Sequence, residues 1–292
     1  MKTSHLVIAA LLCLAWGVNA AAAKVGVTYV PPLFFTAMRF LVVLVLLSPW
    51  LRVAPVGGQW RTLLLGMFFL GALHFGLIFT GAKLSSATAM AIVNQLWIPM
   101  AALMAFVWLG EKVPLSRWIG IAIAFAGVLV FSLDRTAATH WSGIVILVID
   151  AGAMALGTVL LRRLTPIPPL VMQAWMAAIG FPLLALASFA IETGQFEAAA
   201  AAPPQEWIAL AYTIIGGSLI GHTLYYFLLQ RYEVSLVSSI LLVSPVIGVM
   251  SGVLLLGEPF TIEIAIGTVL TLGGVAIVLI RSGRSLVWGT KT

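Results

Sequence analysis

Charge is scarce in this chain. Asp, Glu, Lys and Arg make up only 8% of its 292 residues, where a soluble globular domain carries about 25%. A soluble protein of this length cannot hide so much apolar surface, so lipid must be part of its solvent. Cysteine is nearly absent: Cys13 stands alone. That excludes an internal disulfide and a cysteine-built metal centre, and Cys13, set in an apolar run, reads as a small hydrophobe. No Walker A phosphate-binding loop occurs, which argues against ATP-driven work by this chain alone. No basic run or patch exists either. The net charge of +6 is scattered through short loops, which speaks for membrane topology and against nucleic acid as a partner. No stretch is polar enough for a soluble domain.

What is present is hydrophobic sequence, 62% of the chain. A spanning helix needs roughly 20 mostly apolar residues. Ten such spans are predicted, near 4–23, 32–48, 62–82, 85–108, 117–133, 142–161, 169–190, 207–229, 235–256 and 262–280. The fold class is therefore all-α integral membrane. The first span has the outline of a secretory signal peptide, with Lys2, an apolar run and Val18-Asn19-Ala20-Ala21-Ala22 as a small-residue cleavage site. Removing it would leave nine spans and break the repeat described next, so it is read as a span. With both termini in the cytoplasm, eleven basic residues face inward: Lys2, Arg52, Arg61, Lys112, Arg117, Arg162, Arg163, Arg231, Arg281, Arg284 and Lys291. Only Lys24, Lys83 and Arg135 face outward, and that imbalance sets the orientation.

The chain repeats itself. Leu109-Gly110-Glu111, Gly120 and Gly127-Val128 recur 147 residues later as Leu256-Gly257-Glu258, Gly267 and Gly274-Val275. His74, Phe79 and Lys83 recur at an offset of 148 as His222, Phe227 and Arg231, and Pro99 and Pro245 hold similar places. Each half, 1–135 and 136–292, thus holds five spans. An odd number of spans turns the second half upside-down, which predicts an inverted-topology repeat. Gly120, Ala124 and Gly127 share one helical face, as do Gly267, Thr271 and Gly274. Small-residue stripes let helices approach closely in lipid, so spans five and ten are expected to pack together. The glutamate of each Leu-Gly-Glu is expected to complement the dipole of the helix that follows it.

Together, several features resemble the drug/metabolite transporter superfamily, in its ten-helix branch with paired EamA domains. They are Trp16-Gly17-x-Asn19 with Lys24, Pro31-Pro32, Arg39, Pro99 with Leu109-Gly110-Glu111, and Pro245 with Leu256-Gly257-Glu258-Pro259, besides the paired glycines. The resemblance implies a bacterial inner-membrane secondary transporter. Such proteins mostly export amino acids, related metabolites or toxic compounds on an ion gradient. Gly221 to Glu233, ending Arg231-Tyr232-Glu233, looks somewhat like O-acetylserine/cysteine exporters. Asp150 departs from the family pattern, which usually has a small apolar residue there.

A charged side chain at the centre of a spanning helix costs roughly 2.5–3.5 kcal/mol on insertion scales. Asp150, the one acid well inside a span, is therefore a candidate for proton coupling or a structural carboxylate. Arg39 is its most obvious opposite charge, in a pair that could be purely architectural; alternatively it snorkels toward an interface or receives a substrate carboxylate. Trp16 and Asn19 share a face of span one and suit either a small polar substrate with an apolar part or helix packing with an interhelical hydrogen bond. His74 and His222 are repeat-related and read as a proton relay or a hydrogen-bonded tether between helices. Tyr225 and Tyr226 extend the face of His222 as a pocket wall. Pro99 and Pro245 are expected to kink their helices and free backbone carbonyls. Asn94, Gln95 and Trp97 lie beside the first of these, and Ser235, Ser238, Ser239 and Ser244 beside the second. Gln173 and Trp175 are weaker cavity candidates.

The expected function is alternating-access export of small amphipathic metabolites, amino acids or derivatives first, coupled to a proton gradient. Uptake or exchange of another solute is the alternative: a drug, or a phosphorylated or nucleotide-linked metabolite. A phosphorylated one would ask for more intramembrane Lys or Arg than Arg39. An intramembrane enzyme needs a nucleophile–base or metal-ligand cluster, and no such local signature is present. No cofactor is implied. The partners are a small molecule and the bilayer, with a second copy of the chain left open.

Overall fold

The structure is a computed structural model describing residues 2–53, 59–110, 113–134, 140–161, 167–229, 231–232 and 234–280. No strand occurs among them. The spans are α1 (Thr3–Gly26), α2 (Pro32–Leu47), α3 (Trp60–Leu84), α4 (Ala87–Trp108), α5 (Leu115–Ser132), α6 (Trp141–Leu161) and α7 (Pro169–Ile191). A short helix, Gln195–Ala201, leads to α8, built of Pro204–Tyr212, Thr213–Ile220 and Gly221–Leu229. Last come α9, made of Val234–Leu241 and Val243–Leu256, and α10 (Ile262–Ile280). Among the described residues, nine helices are long and apolar enough to cross a membrane. The shorter Val243–Leu256, joined to Val234–Leu241, supplies the tenth, and every boundary falls within four residues of its expected place.

Irregularities recur in both halves. α3 contains a π-helical stretch, Phe68–Leu73, and α8 another, Thr213–Ile220. Nothing in the hydrophobic pattern announces them. They end one residue before His74 and two before His222, the repeat-related histidines. α4 tightens to a 3-10 turn at Asn94–Leu96, upstream of Pro99, and α9 is interrupted at Leu242, upstream of Pro245. Proline lacks the N–H that would bond four residues back, so both breaks lie where a carbonyl loses its helical donor.

Most large interfaces cross between the halves. α5 packs on α10, α2 on α7, α1 on α8 and α9, and α6 on α3 and α4. The α5–α10 contact is glycine to glycine and antiparallel. A methyl on Gly120 would meet the Gly274 carbonyl oxygen at 2.9 Å, and one on Gly127 would meet that of Gly267 at 2.8 Å. α5 and α10 therefore touch backbone to backbone, as their small-residue stripes predict.

Both Leu-Gly-Glu turns end their helices on a left-handed glycine, Gly110 at φ +65° and Gly257 at φ +69°, a conformation glycine adopts without steric cost. The glutamate behaves otherwise than expected. The Glu258 carboxylate reaches away from α10 to the start of α4, accepting from the Ala87 N–H at 2.7 Å and the Thr88 N–H at 2.9 Å. The unpaired donors of α4 are nearer in space than those of the helix that follows in sequence. Glu111 lies outside the described residues. This fork also fixes topology. Gly257 sits at the Ala87 end of α4 and Gly110 beyond its other end, so the two turns lie at opposite ends of the molecule and the repeat is inverted.

Two further forks close the same end. Glu206 accepts from the N–H groups of Tyr29 (2.7 Å) and Val30 (3.2 Å). Glu192 accepts from those of Leu33 (2.8 Å) and Phe34 (3.0 Å). Lys24 donates there to the carbonyls of Ala82, Lys83 and Ser85. At the opposite end His5 Nδ1 meets the Tyr232 hydroxyl at 2.7 Å.

Candidate functional site

The π-helical turns set the polar residues of the interior. In α8 the widened turn brings Gly217 and Gly221 against α1. The Trp16 indole Nε1–H donates to the Gly217 carbonyl at 3.1 Å, and Asn19 Oδ1 is buried against Gly217 with no hydrogen-bond partner. The Trp16 ring lies 5.5 Å from that of His222 and 5.4 Å from that of Tyr225. His222 Nδ1–H donates to the Ser218 carbonyl at 3.0 Å. The structure thus gathers Trp16, Asn19, His222 and Tyr225 into one cluster between α1 and α8. The side chains of Tyr226 and Ser239 lie outside the described residues.

The second cluster lies between α3, α4 and α6. Asp150 is fully buried. Its Oδ1 is 2.6 Å from His74 Nδ1 with a proton between them, and its Oδ2 accepts from the Asn94 amide at 3.0 Å. Here the expected pairing changes. Asp150 is partnered by His74, not by Arg39, because α6 packs on α3 and α4 while Arg39 projects from α2. The carboxylate is held by an imidazole that can share its proton, rather than by a guanidinium fixed in its charge. Trp97 belongs to neither cluster. It is partly buried against Met100, Ala101, Ala155 and Val159. Gln173 is buried with neither side-chain polar atom partnered, and Trp175 stacks edge-on against Trp60.

Arg39 stands between the two clusters. It is 3% exposed, and its Nη2–H donates to the Ser218 hydroxyl at 2.7 Å. The guanidinium lies over Phe75, 4.6 Å from the ring centroid, with Phe79 and Phe40 at 5.5 and 5.9 Å. Phe75 in turn packs on the His74 ring, centroids 4.7 Å apart. Nε and Nη1 of Arg39 have no hydrogen-bond partner. Ser218 is the residue that sequence reasoning missed: its hydroxyl receives Arg39 and its carbonyl receives His222. Its only signal was its place four residues before His222 in a glycine-containing turn.

A buried cation with unused donors, flanked by a carboxylate–imidazole pair and an indole–imidazole–phenol wall, is a polar centre in an otherwise apolar bundle. The sequence pattern of the EamA-like transporter family matches residues 3–133 and again 141–280. The chain belongs to that family. The uncharacterized transporter YvbV of Bacillus subtilis is 25% identical over 96% of this chain and 93% of its own length. The uncharacterized inner membrane transporter YedA of Escherichia coli K12 is 26% identical over 94% and 90%. A probable amino-acid metabolite efflux pump of Salmonella typhimurium is 28% identical over 92% and 93%. One solved crystal structure, 22% identical, superposes with a TM-score of 0.63 over 98% of this chain and all of that one, a likeness of fold. This is a multi-pass EamA-like membrane transporter.

Proposed function

We propose that this transporter exports small amphipathic metabolites, amino acids or their derivatives first, across a bacterial inner membrane by alternating access, driven by the proton gradient. In this reading both termini are cytoplasmic, which the excess of basic residues at the Lys2 end supports. The observation that carries the reading is the buried His74–Asp150–Asn94 set, 2.6 and 3.0 Å apart, next to an arginine with two donors unspent. A carboxylate in hydrocarbon is costly, and sharing a proton with an imidazole relieves that cost in either charge state. Arg39 receives the substrate carboxylate, and the Trp16–His222–Tyr225 wall receives its apolar part. The Salmonella relative named a probable amino-acid metabolite efflux pump supports the substrate class.

Reconstituted in liposomes, the protein should exchange labelled amino acids, with flux that depends on a pH difference. Asp150→Asn should leave exchange at equal pH but remove its response to the gradient. No flux for any amino acid or derivative tested would end the substrate reading. An unchanged pH response in Asp150→Asn would end the coupling role.

A further inference from the structure

Away from the polar centre, at the Lys24 end, the structure contains a cavity of about 260 Å³ that the reading above leaves unused. One wall is polar: Lys24, Ser85, Ser86, Thr88, His140 and Glu258. The rest of the lining is Ala89, Phe131, Ile144, Pro259 and Ile264. The volume falls just below the roughly 300–1,000 Å³ of pockets for drug-sized ligands, which suits a metabolite smaller than those.

The polar wall has acceptors to spare for a cation. An ionised carboxylate offers about four lone-pair sites. Glu258 uses two of them, for the Ala87 and Thr88 N–H groups at 2.7 and 2.9 Å. No lysine or arginine among the described residues lies within ion-pair distance of it. Lys24, the nearest ammonium in the wall, has only three donors. All three go to carbonyl oxygens: Ala82 at 2.9 Å, Lys83 at 3.0 Å and Ser85 at 2.5 Å. Its donors are thereby held by the end of α3, while its charge still acts on the Glu258 carboxylate from a distance. The wall also has a donor to spare. Thr88 is 1% exposed, and its hydroxyl, packed against Gly252 of α9, has no partner. A buried hydroxyl left unpaired costs about 1–3 kcal/mol, a cost that a ligand acceptor removes.

We propose that this cavity is a second binding site, taking a small amphipathic molecule with a primary ammonium group. Glu258 receives the ammonium, Thr88 donates to the ligand's carboxylate, and Phe131, Ile144 and Ile264 cover its apolar part. The assignment rests on the carrier reading above and adds a separate station to it, at the end of the molecule opposite the basic loops. An apolar α-amino acid has all three parts.

The test uses the full-length chain in detergent. Cys13 is the only cysteine, so Cys13→Ala with His140→Cys places a single thiol at the exposed rim of the cavity. Alkylation of that thiol by a charged maleimide is timed with and without L-leucine. At a concentration roughly ten times the dissociation constant, leucine should slow the reaction about tenfold. Adding Glu258→Gln or the isosteric Thr88→Val should remove most of this protection, with size-exclusion profiles checking that both variants fold. Arg39→Ala, which empties the central site, should leave it intact. The amine isopentylamine should protect in part, and 4-methylpentanoate should not. Alkylation unaffected by leucine overturns the proposal, as does protection that survives both Glu258→Gln and Thr88→Val or vanishes with Arg39→Ala. Leucine flux in liposomes without rim protection removes this site and leaves the exporter. Protection without flux does the reverse.

Discussion

Arg39 is held as few arginines are. One donor is committed to Ser218, the face lies on Phe75, and two donors are idle in a region that water does not reach. A planar fork of this kind suits a carboxylate in a way that a lysine ammonium does not, because it offers parallel N–H groups in fixed geometry. Arg39→Lys keeps the charge and forfeits the fork and the stacking. Its apparent substrate affinity, read by counterflow in liposomes, should fall about tenfold or more, roughly 1.4 kcal/mol. Undiminished affinity would assign Arg39 to architecture. Sequence alone singled out Asp150, Arg39, His74, His222, Trp16 and Asn19, because polar groups in apolar helices stand out. It could not pair them. Charge logic joined Asp150 to Arg39, whereas the packing of α6 on α3 joins it to His74, and hydropathy carries no information about which helix faces which.

Two kinds of contact lock the helices together. Along α5 and α10 it is backbone proximity. A methyl on Gly127 would fall 2.8 Å from the Gly267 carbonyl and closer still to Thr271, atoms that move only if the helices separate. Gly127→Ala should cost about 1–3 kcal/mol, as overpacking does. It should appear as a lowered unfolding temperature in detergent, with a matching effect of Gly267→Ala. At the Lys24 end it is the carboxylate forks. Glu206 is 2% exposed and spans the Tyr29 and Val30 N–H groups. Glu206→Gln sets an amide N–H₂ against one of these donors, so it loses a charge-assisted bond and gains a clash of donors. A loss of about 1–3 kcal/mol follows, read in the same thermal assay. The glycine contact was legible in advance, since small residues at helical spacing on both partners have one purpose in lipid. The forks were not. Glutamates in short loops look like ordinary surface charge until the helix ends they cap are known.

At the scale of the whole molecule, the interleaving of the halves matters more than their similarity. The repeat announced two units of five helices. The principal contacts run from one unit to the other: α1 to α8 and α9, α6 to α3 and α4, α2 to α7, α5 to α10. Topology follows and is open to labelling. Single cysteines introduced at Gly110 and Gly257 in a Cys13→Ala background should react with membrane-impermeant reagents from opposite faces of sealed vesicles. Reaction from the same face would refute the inverted arrangement. The even count of spans, the short loops and the odd half-repeat made this architecture readable from residue order alone. The π-helical turns before His74 and His222 were not, because an extra residue in a turn leaves the apolar run intact.

The two equivalent interfaces do not carry equivalent chemistry. Where α3 meets α6 an imidazole faces a carboxylate, and where α8 meets α1 an imidazole faces an indole. Duplication supplied two sockets, and divergence made only one of them acidic. Under the coupling proposed above, a lone acidic dyad loads one proton per cycle, which would give one proton for each molecule expelled. The steepest substrate gradient it can sustain is then set by one proton-motive step, not by its square.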